Sequence, residues 1–318
     1  MQTYKFQLAA LLVASSLLAA MPAQAADSNQ QQQGHAVVTV LPGSEVPGGI
    51  SEDALHLKVD GKDSTITGWS LLRGPQSTVE IVVLIDDGAR QSLGLQLPDI
   101  AKFMQALPPN AKVAVAYMQN GQAVFAGPVS GGPLTTDRAA AIRELHLPGG
   151  GGAGASASPY FCLSDLAKHW PSTDAHARRE VIAITDGVDD YNRRYDPEDP
   201  YVQAAIEDSV RAHLIVYSIY WRNSGLADST NYAAFSGQGL IAEVTDATGG
   251  KSYWEGNGNP VSFQPYLADI SDRLDNQYEL DFMTPEVGKP QMASLKLKIA
   301  AQVKFDAPQQ VYVHPVAQ

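Results

Sequence analysis

The chain has 318 residues, of which 44% are hydrophobic, 34 are acidic, 22 are basic and one is a cysteine. A net charge of −12 argues against nucleic acid, anionic membrane surfaces and anionic sugars as partners, and favours divalent cations and basic surfaces. A lone cysteine, Cys162, leaves no internal disulfide, so the protein must be held by its core, which a chain of this length can build.

Residues 1–25 read as a secretory signal peptide. Lys5 forms a short n-region, an apolar stretch covers 8–21, and Ala23-Gln24-Ala25 is a small-residue cleavage site. The apolar run is shorter than the ~20 residues a bilayer needs, so export to the periplasm or the medium is expected rather than a membrane span. Cleavage removes one lysine and no acid, which takes the net charge to −13. Residues 26–35, opening with ADSNQQQQG, are polar and Gln-rich and read as a flexible tether. Residues 36–75 then turn β-like, with alternating apolar positions around an Asp60-Gly61 turn.

Between residues 76 and 285 strand and helix patterns alternate. Apolar runs at 81–85, 112–117, 181–184 and 214–220 are separated by helical stretches, and Asn120-Gly121 marks a hairpin. Such alternation predicts βαβ crossovers and a doubly wound, mostly parallel, Rossmann-like α/β sheet. From QYELDFMTP onward the pattern returns to antiparallel strands, and residues 286–318 form a C-terminal β tail. The expected architecture is therefore one doubly wound sheet carrying N- and C-terminal β extensions.

Two apolar runs end in acid: IVVLIDDGAR reaches Asp86 and VIAITDGVDDY reaches Asp186. In a parallel sheet those ends can lie side by side at the carboxyl edge, where α/β folds keep their binding sites. The glycine-rich stretch 148–159, PGGGGAGASASP, lacks the Lys-Ser/Thr of a phosphate-binding loop and reads as a surface loop. The acidic stretch from Asp186 to Asp199 lacks EF-hand spacing and carries Arg193 and Arg194 at its centre, so it reads as a solvated rim; Asp190 and Tyr191 make it a second contact surface. The seven histidines sit in no catalytic motif, and Cys162 reads as a core residue.

Six segments, in order, resemble the von Willebrand factor A-type (VWFA) domain, closest to the bacterial VWFA-related group of Acidobacterial type. They are DALHLKVDGKDSTITGW, IVVLIDDGAR, LTTDRAAAIREL, VIAITDGVDDY, LIAEVTDATGGKSYW and YLADISDRLDNQYELDF. The resemblance implies a metal-ion-dependent adhesion site at the strand edge, built from an acid-x-Ser-x-Ser loop, a threonine and a second aspartate. Asp86 matches the first acid and Asp186 the last, but Gly88 and Arg90 occupy the serine positions, and only Ser156 or Ser158 could stand for the threonine. Arg90 is expected to neutralise Asp86 or Asp186 in place of a cation. Either no cofactor or a weakly bound Mg²⁺ is therefore implied. The expected function is an exported, non-catalytic protein-interaction module with a degenerate adhesion site, contacting its partner through Asp86, Arg90, Asp186, Asp190 and Tyr191. The alternative is a Mg²⁺-dependent adhesin with Asp86, Asp186 and Ser156 as ligands, and the third reading is an unrecognised hydrolase.

Overall fold

The computed structural model describes residues 31–41, 43–44, 49–74, 77–126, 132–149, 158–189, 196, 198–223, 231–256, 258–300 and 302–316. The signal-peptide reading lies outside these residues. In chain order the elements are β1 (Gln31–Val40), β2 (Leu55–Val59), β3 (Lys62–Leu71), β4 (Val79–Asp86), α1 (Leu97–Ala106), β5 (Lys112–Gln119), β6 (Gln122–Phe125), α2 (Arg138–Arg143), α3 (Pro159–Lys168) and β7 (Arg178–Thr185). Then follow α4 (Pro200–Arg211), β8 (Leu214–Tyr220), α5 (Asn231–Thr248), β9 (Ser252–Tyr253), α6 (Gln264–Leu274), β10 (Gln277–Val287), β11 (Gln291–Ile299), β12 (Phe305–Asp306) and β13 (Gln310–Pro315). No described helix is long and apolar enough to cross a membrane.

The fold class differs from the expectation of one doubly wound, mostly parallel sheet with β extensions. The terminal segments are a unit of their own. Strands β10, β3, β2, β11, β13 and β1 pair in that order, every pair antiparallel, and β1 pairs back to β10, so the six close into a barrel. Closure removes the open edges that an extension would expose. The alternating positions point inward, and Val38, Leu57, Val59, Leu280, Phe282, Leu295, Val311 and Val313 fill the interior. Gly34, within the stretch read as a tether, faces the Phe282 ring, which occupies the space a side chain there would need. Strand β1 begins at Gln31, so the Gln-rich run is part of the barrel, with Gln32 buried and its amide donating to Lys289 O at 2.6 Å.

The second sheet is mixed, in the order β6-β5-β4-β7-β8-β9, with β6 antiparallel to β5 and the other four pairings parallel. Strands β4 and β8 are buried at every position, which is why they read as unbroken apolar runs rather than alternating ones. One face packs against α1, α2 and α6 through Phe103, Met104, Ala141, Phe263 and Ile270. The other packs against α3, α4 and α5 through Tyr160, Leu163, Ile206 and Val244. Cys162 is buried in this second layer, and burial pushes its thiol pKa up, as befits a core residue.

Polar contacts fasten the barrel to the mixed sheet. Gln277, at the start of β10, donates to Glu180 Oε1 at 2.9 Å, and Arg178 donates to Gln277 Oε1 and, at 2.8 Å, to Leu274 O. Arg273, 3% exposed at its side chain, bridges Asp269 of α6 and Asp306 of β12 at 3.0 and 2.7 Å.

Candidate functional site

Strands β4 and β7 run parallel with Ile85 beside Ile184, so Asp86 and Thr185 are neighbours at the carboxyl edge and Asp186 follows at once. Asp86 and the end of β7 therefore meet, with Thr185 directly beside Asp86 and Asp186 one residue further on. Asp86 is buried; its Oδ1 accepts from Gly88 N at 2.8 Å and its Oδ2 accepts from Thr185 Oγ1 at 3.2 Å. Thr185 Oγ1 in turn accepts from Gly187 N at 3.1 Å, so this hydroxyl ties the two strand ends together. Asp186 accepts from Val188 N at 3.0 Å and from Asn223 N at 3.2 Å, which links the loop after β7 to the loop after β8.

Arg90 does not take up the expected carboxylate pairing. Its Nε donates to Asn223 O at 3.1 Å, its backbone N–H to Arg222 O at 3.1 Å, and its own carbonyl accepts from Trp221 Nε1 at 3.3 Å. Ala89 and Asn223 form an isolated bridge, so backbone pairing draws this loop across towards β8 and the guanidinium follows it. Among the described residues no ion pair joins Arg90 to Asp86 or Asp186. Asp87 points the other way, accepting from Gln119 Nε2 at 3.2 Å and from Gly149 N at 2.7 Å, so it fastens the start of the glycine-rich loop.

The hydroxyl Ser158 is spent elsewhere: it is the N-cap of α3, accepting from Phe161 N, with Pro159 in the first turn. Ser156, Asp190 and Tyr191 lie outside the described residues. A hard dication wants oxygen ligands. The described residues instead bring N–H donors from Gly88, Val188 and Asn223 to the two aspartates and place no hydroxyl at positions 88 or 90. Among the described residues the Thr185 hydroxyl meets Asp86, and the acid-x-Ser-x-Ser loop of an adhesion site is not formed.

Behind this edge Tyr160 is fully buried and donates to Gly187 O at 2.7 Å; burial first, then Asp189 and Asp186, push its phenol well above the ordinary range. Tyr117 is pushed up to about 12, chiefly by burial, and holds His146 through bonds of 2.8 and 2.7 Å to its carbonyl and amide. Thr185 and Tyr160 thus position the edge, and neither was singled out from the sequence; the threonine of the TDG triplet was the available signal.

Several large apolar side chains stand open around the same edge: Leu95 is 79% exposed, Leu147 52%, Val261 93% and Phe235 59%. Three of them, Leu95, Leu147 and Val261, adjoin the segment that follows Arg90. Leu147 lies against Gly94, Gln96 donates to Val261 O at 3.1 Å, and Phe235 precedes Gly237, whose backbone packs on Gly187.

No family model and no curated protein matches the chain. Among solved structures it is similar to the conserved hypothetical protein BatB from Bacteroides thetaiotaomicron, at 16% identity and TM-score 0.41, over 62% of this chain and 97% of that one. An aerotolerance-related membrane protein from Bacteroides fragilis NCTC 9343 gives 16% identity and TM-score 0.43, over 62% and 98%. The pilus adhesin SpaC from Lactobacillus rhamnosus GG, in its open conformation, gives 8% identity and TM-score 0.44 over 82% of this chain and 47% of that one.

Proposed function

We propose that the chain is an exported, non-catalytic protein-interaction module whose mixed-sheet part is of von Willebrand A type, with a degenerate adhesion site that works without metal. The observation that carries this reading is the set of exposed apolar side chains Leu95, Leu147 and Val261, which adjoin the segment that follows the exposed Arg90, with exposed Phe235 near the loop after β7. Apolar patches rimmed by polar groups mark interaction surfaces, and arginine beside apolar side chains is the composition of a binding hot spot. The aspartates then serve as structure. Asp86 and Asp186 hold the loops after β4, β7 and β8 by accepting their N–H and hydroxyl donors, so the rim is presented rigidly.

Capture from cell-envelope extracts tests this, comparing EDTA with Mg²⁺ and the native chain with Leu95→Glu and Arg90→Glu. Capture should persist in EDTA and fall with either substitution while the far-UV circular dichroism stays unchanged. Capture that needs Mg²⁺ and is lost in Asp186→Ala would support the metal-dependent adhesin instead. Capture insensitive to both surface variants would move the contact away from this edge.

A further inference from the structure

A second cluster of chemistry-bearing side chains lies on the outside of the barrel, far in sequence from the strand-edge aspartates. Its members come from four elements. His35 of β1 stands directly across from Asp281 of β10, with Nδ1 to Oδ1 at 3.0 Å, and Glu279 Oε1 lies 3.7 Å from the same nitrogen. The three ligand atoms are all within 4.8 Å of one another, and among the described residues no other histidine, cysteine and carboxylate group meets that spacing. His213, in the turn before β8, presents its ring edge-on to His35 at 5.4 Å between centroids. His314 of β13 lines the same surface cleft as His35 and Asp281, because its neighbour across the ladder is Gln33 of β1.

A lone histidine–aspartate pair on a barrel would need none of this company. The spacing is that of a coordination shell. Around a tetrahedral ion with bonds of ~2.0–2.1 Å, ligand atoms stand about 3.3 Å apart, and the observed 3.0 and 3.7 Å straddle that value. Imidazole with carboxylate suits zinc and its transition-metal neighbours rather than Mg²⁺ or Ca²⁺. Nearby, His314 Nδ1 lies 3.1 Å from Pro315 O, and a carbonyl can only accept, so Nδ1 carries a proton and is not the atom free for a ligand. Room is reserved as well: Asp281 pairs across from Gly68, where a Cβ would stand 2.9 Å from Asp281 Oδ2.

The geometry points to a divalent transition-metal site of zinc class, with His35, Glu279 and Asp281 as ligands, His314 beside them in the same cleft, and water completing the shell. Coordination through His35 Nδ1 replaces its hydrogen bond to Asp281 Oδ1, and the ring then carries its one proton on Nε2. His213 closes one side, its ring edge-on to that of His35. The site would clamp β1 to β10, the pair that closes the barrel.

The test uses the purified chain, stripped with EDTA and titrated with Zn²⁺ against a chromophoric chelator, and separately with Co²⁺ followed by its visible absorption. One Zn²⁺ per chain is expected, with affinity at least ~10-fold weaker in Glu279→Gln and Asp281→Asn, and with the cobalt bands lost. Glu279→Gln decides the matter should another variant fail to fold, since this partly exposed side chain has only a 3.4 Å bond to Ser70 and a 3.7 Å contact with His35 to lose. Asp186→Asn should leave zinc uptake unchanged, which separates this site from the carboxyl edge. Absence of uptake, or uptake that Glu279→Gln leaves at native affinity, overturns the assignment.

Discussion

Glu180 offers a direct test of how the barrel is joined to the mixed sheet. It is 1% exposed within β7, accepts from Gln277 Nε2 at 2.9 Å, and its pKa is raised from 4.5 to about 7 by burial, with Arg178 and the Gln277 bond opposing the rise. The unfolded chain binds this proton less tightly than the folded one. The folded state therefore has its full advantage below pH 4.5 and loses it as pH rises through about 7. At 1.36 kcal/mol per pH unit the loss amounts to roughly 3 kcal/mol by pH 8. Glu180→Gln keeps the shape, keeps an oxygen for Gln277 and cannot ionise. Urea unfolding at several pH values between 4.5 and 8 should show the two proteins nearly equal at the acid end, and the variant more stable by about 3 kcal/mol at the alkaline end. The difference between the two curves isolates this group from all other titrations. A difference that stays flat across that range, or one in which the native protein gains with pH, would refute the account of a carboxyl held neutral by burial.

Two further substitutions probe close packing and the second fastening. Gly250 lies against the backbone of β8 at Val216, so Gly250→Ala must push the strand aside and should cost on the order of 3 kcal/mol or abolish soluble expression, read as a lowered urea midpoint. Arg273→Leu strands Asp306 without its guanidinium while Asp269 keeps Lys251 at 2.9 Å and Tyr253 at 2.7 Å. Because Asp306 is 37% exposed, water takes up part of its charge, so the loss should be about 1 kcal/mol, visible in thermal unfolding, and no measurable loss would mean that the bridge is fully screened.

Local chemistry was legible in the residues. Asp60-Gly61 and Asn120-Gly121 both take positive φ, at 48° and 78° and at 51° and 75°, as two-residue hairpin turns require. Gly249 ends α5 at φ 80°, and Gly250 N bonds Thr245 O at 2.8 Å, which is the closing bond of a Schellman cap. The meeting of Asp86 with the β7 end was legible too, because both buried strands announce themselves as apolar runs. Ring closure was not, since β1 pairs with β10 from the far end of the sequence and period-two alternation says which face is buried but never against which strand. For the same reason the polar tract around Gly34 passed for a tether: its burial is against Phe282, a residue it meets only in three dimensions. The partner of Arg90 was hidden because it is a backbone carbonyl, which no side-chain pattern records. The histidine cluster escaped because His35, His213 and His314 come from three separate elements rather than from one motif.

The way the barrel is assembled has a consequence for how the protein comes to be folded. Strands β1, β2 and β3 are made first, yet two of their ladder partners are β10 and β11, which leave the ribosome only after the whole mixed sheet, so early strands must wait with their hydrogen-bonding edges open. The mixed sheet has no such delay, since its strands pair only with one another within a continuous stretch of chain. Long-range closure of this kind is slow, and an emerging chain that carries an unpaired β1 and a β2–β3 hairpin with both outer edges open is most vulnerable to mispairing during synthesis. Truncations that remove β11 to β13 should therefore leave a compact mixed sheet carrying sticky, unclosed strands, and such chains should aggregate long before their α/β part unfolds.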